Sequence, residues 1–215
     1  MCGIAGFAGV GDESDIRAMT DLMRHRGPDD EGIYVDAQAN VHLGHRRLTV
    51  IDVADGGQPM WSADNTIGVV FNGEIYNHHE LREALEARGH KFFSDHSDTE
   101  VLIHGYREWG TELPLKLNGM FAFAIYDRAR KRLFLARDRM GEKPLFFCHT
   151  GVGFVFASEL TALCKHGSVS ADIDLVAVGK FFAYNFLPAP WTLYRGIHNL
   201  PAGHSLIYDV AENSL

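Results

Sequence analysis

The sequence has 215 residues, of which 46% are hydrophobic and 22% charged, as expected for a globular protein with a sizeable core. Its net charge of −8 argues against a general nucleic-acid binder and against adsorption to an anionic membrane. No apolar run approaches the roughly 20 residues of a membrane helix, and the first residues lack the pattern of a secretory signal. Together with three cysteines, this predicts a protein of the reducing cytoplasm.

Short strands predominate along the chain, with a few helices between them. Strands are predicted at 2–8, 41–43, 69–71, 120–126, 133–136, 153–157 and 204–208, and helices at 14–25, 80–88, 99–109 and 174–184. The strand at 120–126 is apolar on both alternating faces, so we expect both faces to be covered. Hairpins outnumber strand–helix–strand units, and this mixture predicts an α+β sandwich.

Cys2 is the residue with the clearest potential for chemistry. Removal of Met1 would leave a chain that begins with cysteine, carrying a thiol and a free α-amine on one residue. A cysteine thiol ordinarily has a pKa of about 8.5 and an α-amine of about 7.7–8.0. The amine can therefore accept the thiol proton, so that one residue serves as nucleophile and general base. The alternative is a small residue in a frayed terminus, and a retained Met1 would block the amine.

Nine stretches, the first of which contains Cys2, follow one another in a defined order. They are MCGIAGF (1–7), RHRGPDDEG (24–32), GHRRLTVID (44–52), GGQPM (56–60), FNGEIYNHHELR (71–82), SDTE (97–100), NGMFAFAIYD (118–127), ARDRMGEKPLFF (136–147) and FASEL (156–160). This series resembles the class II glutamine amidotransferase domain, in particular the N-terminal glutaminase half of asparagine synthetase-like proteins. Residues 186–204 resemble the linker that such proteins place before their synthetase half.

The resemblance implies an N-terminal-nucleophile hydrolase fold, a four-layer αββα sandwich with two antiparallel sheets. It assigns residues 1–185 to the amidotransferase domain. Residues 186–215 would then form a linker and the start of the junction to a synthetase domain.

The implied activity is hydrolysis of glutamine to glutamate and ammonia. Cys2 would attack the side-chain amide and form a thioester, while the Asn72 side chain and the Gly73 backbone N–H would stabilise the oxyanion. Taken alone, an Asn-Gly pair predicts a tight hairpin turn.

The two α-groups of glutamine call for opposite charges. Arg47 is the candidate for the α-carboxylate, because its planar guanidinium matches a carboxylate bidentately. Asp98 is the candidate for the α-ammonium, although its local sequence also fits a plain helix cap. Other expected substrate contacts come from Leu48, Thr49, Val50, Ile51 and Glu74. We expect the neighbouring Arg46 to face solvent and Arg26 to organise the surroundings of the nucleophile.

No metal is expected, since the 12 histidines show no metal-ligand spacing and the adjacent His78 and His79 should point apart. Cys148 and Cys164 lie in apolar contexts and are predicted to be core thiols.

We expect no cofactor for this domain. An SGGxDS-type pyrophosphate loop does not occur in the sequence, so ATP and magnesium are expected only in the synthetase domain. The expected partners are L-glutamine, that domain and, as a further option, a second copy of the chain, with no nucleic acid and no membrane. Two alternatives stay open: a catalytically silent glutamine-binding module, or another N-terminal-nucleophile amidase.

Overall fold

The computed structural model describes residues 1–49 and 56–215. The strands β1 to β11 are Gly3–Ala8, Asp30–Asp36, Val41–Arg47, Met60–Trp61, Ile67–Ile75, Gly119–Asp127, Arg132–Arg137, Phe146–Thr150, Gly153–Ala157, Ile197–Asn199 and Ser205–Asp209. The helices α1 to α6 are Glu13–Asp21, His78–Glu86, Asp98–Trp109, Leu113–Lys116, Leu160–Leu163 and Leu175–Tyr184. A 3₁₀ turn, Gly110–Glu112, joins α3 to α4.

The strands form two antiparallel sheets. Sheet A has the order β10-β8-β9-β1-β3-β2, and sheet B has the order β11-β7-β6-β5-β4. An apolar core that includes Ile4, Val70 and Phe154 fills the space between the two sheets. A second core joins sheet A to α1 and α5, and a third joins sheet B to α2 and α3. The layers therefore run helix–sheet–sheet–helix, which confirms the predicted αββα sandwich.

Strand β6 shows why the layers stack in this way. Its residues Phe121, Phe123 and Ile125 pack into the core beneath the helices of sheet B. The alternate residues Ala122 and Ala124 belong to the core between the sheets, where small side chains let the sheets approach. The prediction that both faces of this strand are covered is confirmed.

All predicted helices and strands are found, β9 with the predicted ends and the others with shifted ends. Helix α1 begins after Asp12, whose side chain accepts a hydrogen bond from the Ser14 N–H at 2.7 Å, and it ends before the predicted boundary. The strand predicted at 41–43 runs on to Arg47. Strands β2, β4, β8 and β10 were not predicted. Cys148 and Cys164 both pack in the core between sheet A and its helices, as expected, and burial raises the pKa of each thiol.

The segment after residue 185 adds an edge strand to each sheet. Strand β10 pairs with β8 in sheet A, and β11 pairs with β7 in sheet B. The division at residue 185 stays a prediction, but a segment expected to be a linker contributes here to both sheets.

A compact loop ties this segment to the body of the sandwich. The Arg137 guanidinium donates to the carbonyls of Gly141, Lys143 and Leu200 at 2.6–2.7 Å. The buried Asp138 carboxylate accepts the backbone N–H groups of Phe121 and Lys143 at 3.2 and 3.0 Å. These bonds fix the conformation of residues 137–143. Among the helices described, none is long and apolar enough to cross a bilayer.

Candidate active site

A cavity of about 190 Å³ opens beside the N-terminal end of β1. Its walls are formed by Met1, Cys2, Arg47, Leu48, Gly56, Gln58, Phe71, Asn72, Gly73, Glu74, Ser97, Asp98, Thr99, Met120 and Lys143. The predicted site residues in the described ranges all lie in this wall except Thr49, whose backbone N–H donates to Asp29 at 2.8 Å. Val50 and Ile51 fall outside the described residues. The cavity thus gathers side chains from both sheets and from α3.

Cys2 is half-buried and directly precedes β1, in which every residue is buried. Its Sγ atom lies 3.7 Å from the Leu48 carbonyl oxygen. The Arg26 Nε–H donates to the Cys2 carbonyl at 2.9 Å, and Arg26 Nη1 pairs with Glu159 at 3.1 Å. Arg26 thus holds the backbone of Cys2 in place, in agreement with the role expected for it.

Asn72 and Gly73 lie inside β5, where they pair with Ala122 and Phe121, so the hairpin turn considered from the sequence is wrong. A Cβ atom on Gly73 would lie 2.1 Å from the Met120 carbonyl oxygen. Only glycine at this position therefore allows β6 to lie so close to β5. The Asn72 side chain is 1% exposed, and its Nδ2 has no hydrogen-bond partner among the described residues. A buried amide donor is rarely left unsatisfied, which marks Nδ2 as available to a ligand.

Arg46 and Arg47 project to opposite faces of β3 because successive side chains of a strand alternate. Arg47 lines the cavity and is 8% exposed. Arg46 is not the solvent-facing charge that was predicted. It is 5% exposed, its Nε–H donates to the Thr20 carbonyl at 3.1 Å, and it forms ion pairs with Asp21 and Glu31. These carboxylates compensate the burial of its charge.

Asp98 begins α3, and Ser97 occupies the cap position, so the alternative of a plain helix cap for Asp98 is not supported. The carboxylate accepts the Ile75 N–H at 3.0 Å and is 7% exposed. Burial and, to a lesser degree, the nearby negative charge of Glu74 raise the pKa of Asp98 to about 6, although its hydrogen bond from the Ile75 N–H acts in the opposite direction. A cationic ligand would favour the ionised carboxylate, so its binding would lower the pKa of Asp98.

Several wall residues were not singled out from the sequence. Gln58 accepts the Phe71 N–H at 2.7 Å and approaches Thr99 Oγ1 at 3.4 Å, so that it bridges β5 and α3. Lys143 reaches the wall from the fixed loop 137–143 and is 7% exposed. Gln58 lies in the GGQPM stretch and Lys143 in the GEKPL stretch, but neither stretch by itself indicates which residue faces the cavity.

His45 connects the two sheets behind the cavity. Its Nε2 lies 3.2 Å from the Phe71 carbonyl oxygen, one residue before Asn72. Burial lowers the pKa of His45 to about 3, so the imidazole is neutral and donates Nε2–H to that carbonyl. This bond fixes β5 relative to β3.

The remaining histidines do not assemble a metal site in the described ranges, where no group of three or more suitable side chains is placed to bind an ion. His78 and His79 do not point apart as predicted, and their ring centroids are 3.9 Å apart. His78 is the first residue of α2, so no preceding helical turn restricts the direction of its side chain.

A family model described as a glutamine amidotransferase domain matches residues 1–215. The chain belongs to this family. It is 39% identical over 216 residues to asparagine synthetase [glutamine-hydrolyzing] 3 of Bacillus subtilis, with 97% of the chain and 35% of that protein covered. It is also 35% identical over 237 residues to putative asparagine synthetase [glutamine-hydrolyzing] 2 of Methanocaldococcus jannaschii, with 100% of the chain and 45% of that protein covered. The amidotransferase domain thus spans between a third and a half of these relatives.

Solved structures support the fold. Glutamine phosphoribosylpyrophosphate amidotransferase from B. subtilis, complexed with ADP and GMP, matches 97% of the domain with a TM-score of 0.69 and 20% identity, over 47% of that chain. A structure described as the allosteric regulatory enzyme of purine biosynthesis matches with a TM-score of 0.71 and 21% identity, over 97% of the domain and 47% of that chain. The N-terminal-nucleophile hydrolase fold expected from the sequence is confirmed.

The raised pKa of Asp98 predicts a stability effect with a definite pH dependence. Because the folded-state pKa lies above the ordinary value of about 4, ionisation of Asp98 lowers the free energy of unfolding as the pH rises from about 4 to about 6, and the loss is complete above that range. We expect Asp98→Asn to raise the free energy of unfolding by about 2 kcal/mol at neutral pH and to leave it nearly unchanged near pH 4. Urea unfolding at both pH values measures the difference.

The exposed Asp172 provides the matched control for that substitution. Asp172→Asn should change stability little at either pH. An equal effect of Asp98→Asn at both pH values would contradict the assignment of a buried, weakly acidic carboxyl at this position.

Proposed function

We propose that the domain hydrolyses L-glutamine to glutamate and ammonia through a thioester on Cys2. The observation that carries the proposal is the buried Asn72 Nδ2, which has no hydrogen-bond partner among the described residues and belongs to the same cavity wall as Cys2. A preorganised, unsatisfied donor beside a nucleophile is what an oxyanion requires. Membership of the glutamine amidotransferase family supports the choice of substrate.

The proposed reaction starts once Met1 is removed. The free α-amine of Cys2 takes the thiol proton, and the thiolate attacks the amide carbon while the carbonyl electron pair moves to oxygen. The resulting oxyanion accepts hydrogen bonds from Asn72 Nδ2 and the Gly73 N–H. Collapse of this intermediate breaks the C–N bond, and the ammonium of Cys2 returns its proton to the leaving nitrogen.

Hydrolysis of the thioester repeats the same proton transfers. The α-amine takes a proton from water as the oxygen attacks the thioester carbon, and a second oxyanion forms in the same place. Its collapse breaks the C–S bond, the amine returns the proton to sulfur, and glutamate leaves. Asn72 and Gly73 act in both halves of the reaction.

Substrate selection is assigned to side chains of opposite charge in the cavity wall. Arg47 would bind the α-carboxylate, and Asp98, with Glu74 near it, would bind the α-ammonium. Leu48 completes the wall beside Cys2, whereas Thr49, Val50 and Ile51 keep their predicted contacts only as proposals. A free amino acid satisfies both charges and an N-acylated glutamine satisfies one, so a preference for the free amino acid would separate this activity from that of a general amidase.

The relatives support a wider proposal about the partner. Their names join glutamine hydrolysis to asparagine synthesis, and two thirds of the B. subtilis protein lie outside the matched region. We propose that ammonia passes to a carboxylate activated by ATP and magnesium in a C-terminal synthetase domain. We place the enzyme in the cytoplasm, since a catalytic thiol is preserved in a reducing compartment.

Helix α6 provides a surface for that partner. Of its residues only Ala177 is buried, while Leu175 and Phe182 are 76% and 77% exposed. The apolar patch also includes Val176, Phe181, Tyr184 and Phe186. A contiguous apolar surface of this kind is characteristic of an interface. The additional length of the relatives favours the synthetase domain as the partner that covers it.

Labelling by 6-diazo-5-oxo-L-norleucine, a reactive glutamine mimic, tests the nucleophile. Intact-mass analysis should show loss of Met1 and one covalent adduct, and peptide mapping should place the adduct on Cys2. Cys2→Ala should abolish both labelling and ammonia release, because no other side chain of the wall offers a thiol.

Cys164→Ala is the control, since this half-buried thiol lies outside the cavity wall. It should label and turn over like the unmodified protein. Ammonia release that persists in Cys2→Ala would refute the thioester. A protein that lacks Met1, binds glutamine and takes up no label would be the silent binding module.

Arg47→Ala tests the substrate clamp. A charge-assisted bond lost from both the ground state and the transition state should raise KM for glutamine about 10- to 100-fold and leave kcat nearly unchanged. Arg46→Ala, on the opposite face of β3, should reduce stability without changing KM. A loss confined to kcat in Arg47→Ala would contradict the binding role.

Hydrogen exchange of α6 tests the interface. Its amides should exchange rapidly in this chain alone and become protected in a protein that carries both domains. Phe182→Ser should remove that protection and lower the asparagine formed per glutamine hydrolysed. Val152→Ser, in the exposed turn between β8 and β9, should do neither. A dimer of this chain that Phe182→Ser dissociates would assign the patch to a second copy.

A further inference from the structure

The Gln58 side chain continues the pairing of β5 beyond the end of β4. Strand β4 is two residues long, and its Met60 pairs with Val69 of β5. The same antiparallel register, continued by two residues along each chain, places Gln58 opposite Phe71. Gln58 Oε1 accepts the Phe71 N–H at 2.7 Å. A side-chain carbonyl thus supplies the acceptor that a longer β4 would supply from its backbone.

The orientation of the Gln58 amide follows from its two neighbours. The Phe71 N–H requires an acceptor, so Oε1 faces β5 and the amide nitrogen faces α3. Nε2 lies 3.4 Å from Oγ1 of Thr99, the residue that follows Asp98. Both Phe71 and Thr99 are buried. One side chain therefore spans the gap from the residue before Asn72 to the residue after Asp98.

The start of α3 is attached to β5 at a second point. The Asp98 carboxylate accepts the Ile75 N–H at 3.0 Å. The two links reach β5 at Phe71 and at Ile75, and the proposed oxyanion donors Asn72 and Gly73 lie between these points. A strand held on both sides of two residues leaves those residues little freedom to move relative to the helix.

Gln58 is itself held against sheet A. A Cβ atom on Gly32 of β2 would lie 1.7 Å from the Gln58 carbonyl oxygen, so the two backbones are in close contact. The carbonyl of Phe71, the residue to which Gln58 bonds, is in turn held by His45 of β3 at 3.2 Å. The link from β5 to α3 therefore starts from a fixed backbone.

The spacing of these groups matters because glutamine would be held at one end and would react at the other. Its α-ammonium is proposed to bind Asp98, and its amide oxygen has to reach Asn72 Nδ2 as charge develops on it. A displacement of about 1 Å between the bound groups and the reacting atoms can cost about 100-fold in rate. The link through Gln58 and Thr99 joins these two ends of the site.

We propose that Gln58 is a positioning residue that sets the spacing between Asp98, at the α-ammonium, and the oxyanion donor Asn72. The inference rests on the proposed glutaminase activity. A substrate held at Asp98 is aligned by this spacing, so its amide oxygen meets the donor. A substrate without an α-ammonium is not held there and gains nothing from the alignment. Gln58 therefore favours turnover of free glutamine over that of amides that lack the α-ammonium.

Gln58→Met tests this role, because methionine has a similar length and lacks the amide that makes both contacts. The two substrates are L-glutamine and glutaramate (5-amino-5-oxopentanoate), which is glutamine without its α-ammonium. For glutamine we expect kcat to fall about tenfold and KM to change less than about twofold, because the α-groups still bind. For glutaramate we expect kcat to change less than about twofold, because this substrate does not use the spacing. Ammonia release measures both.

Thr99→Val breaks the same link at its other end and keeps the branched shape of the side chain. It should reproduce the selective loss of kcat for glutamine. Added to Gln58→Met, it should cause no further loss, as expected for two residues that act through one contact. Gln38→Met, in the exposed turn between β2 and β3, is the matched control and should leave the turnover of both substrates unchanged.

An equal loss of kcat for glutamine and glutaramate in Gln58→Met would overturn the proposal, since a general loosening of the oxyanion donors slows both substrates. A change confined to KM, or no change in kcat for glutamine, would overturn it as well.

Crystal structures test the spacing without relying on turnover. Glutamine bound to Cys2→Ala should place its amide oxygen within hydrogen-bond distance of Asn72 Nδ2. When Gln58→Met is added, the α-groups should stay at Arg47 and Asp98 while that oxygen moves away from Nδ2. An amide oxygen that stays in place would overturn the proposal. A chain that binds glutamine without hydrolysing it would refute the proposed function, and these two structures would still decide the role of Gln58.

Discussion

The position of Cys2 depends on the pairing of the strand that follows it. Chain termini are ordinarily the least ordered part of a domain. Strand β1, however, lies inside sheet A, paired with β3 on one edge and with β9 on the other, and every residue from Gly3 to Ala8 is buried. A terminus anchored by two neighbouring strands can carry a nucleophile with a defined direction. The hydrogen bond from Arg26 to the Cys2 carbonyl adds a further contact next to the nucleophile proposed above.

The cavity wall exists because two sheets meet face to face. Arg47 comes from sheet A, Asn72 and Gly73 come from sheet B, and Asp98 comes from the helix layer above sheet B. His45 holds the two sheets in register next to Asn72, and its low pKa keeps it neutral, so this connection does not change with physiological pH. Residues far apart in the sequence are thereby brought together by a few buried polar contacts. The αββα packing places the groups, and the buried contacts set their spacing.

Local sequence patterns predicted those features of the fold and of the site that depend on residues close together in the chain. The apolar alternation of β6 identified a strand covered on both faces, and the motifs around Cys2, Asn72 and Asp98 identified residues that do lie in one wall. The side of β3 on which Arg46 lies could not be inferred, because its burial depends on Asp21 in α1 and Glu31 in β2. Strands β4 and β10 are too short, at two and three residues, to show a period. Gln58 and Lys143 enter the wall only through tertiary packing, which no spacing within their own segments encodes.

The C-terminal strands have a consequence for where this chain can be divided. Strand β11 covers the edge of β7, strand β10 covers the edge of β8, and Tyr208 is fully buried between the sheets. A protein cut after residue 185 would expose two rows of unpaired N–H and C=O groups, one on each sheet, together with the void left by that ring. Open edges of this kind pair with other chains. The last 30 residues therefore protect both sheets from aggregation through their edges.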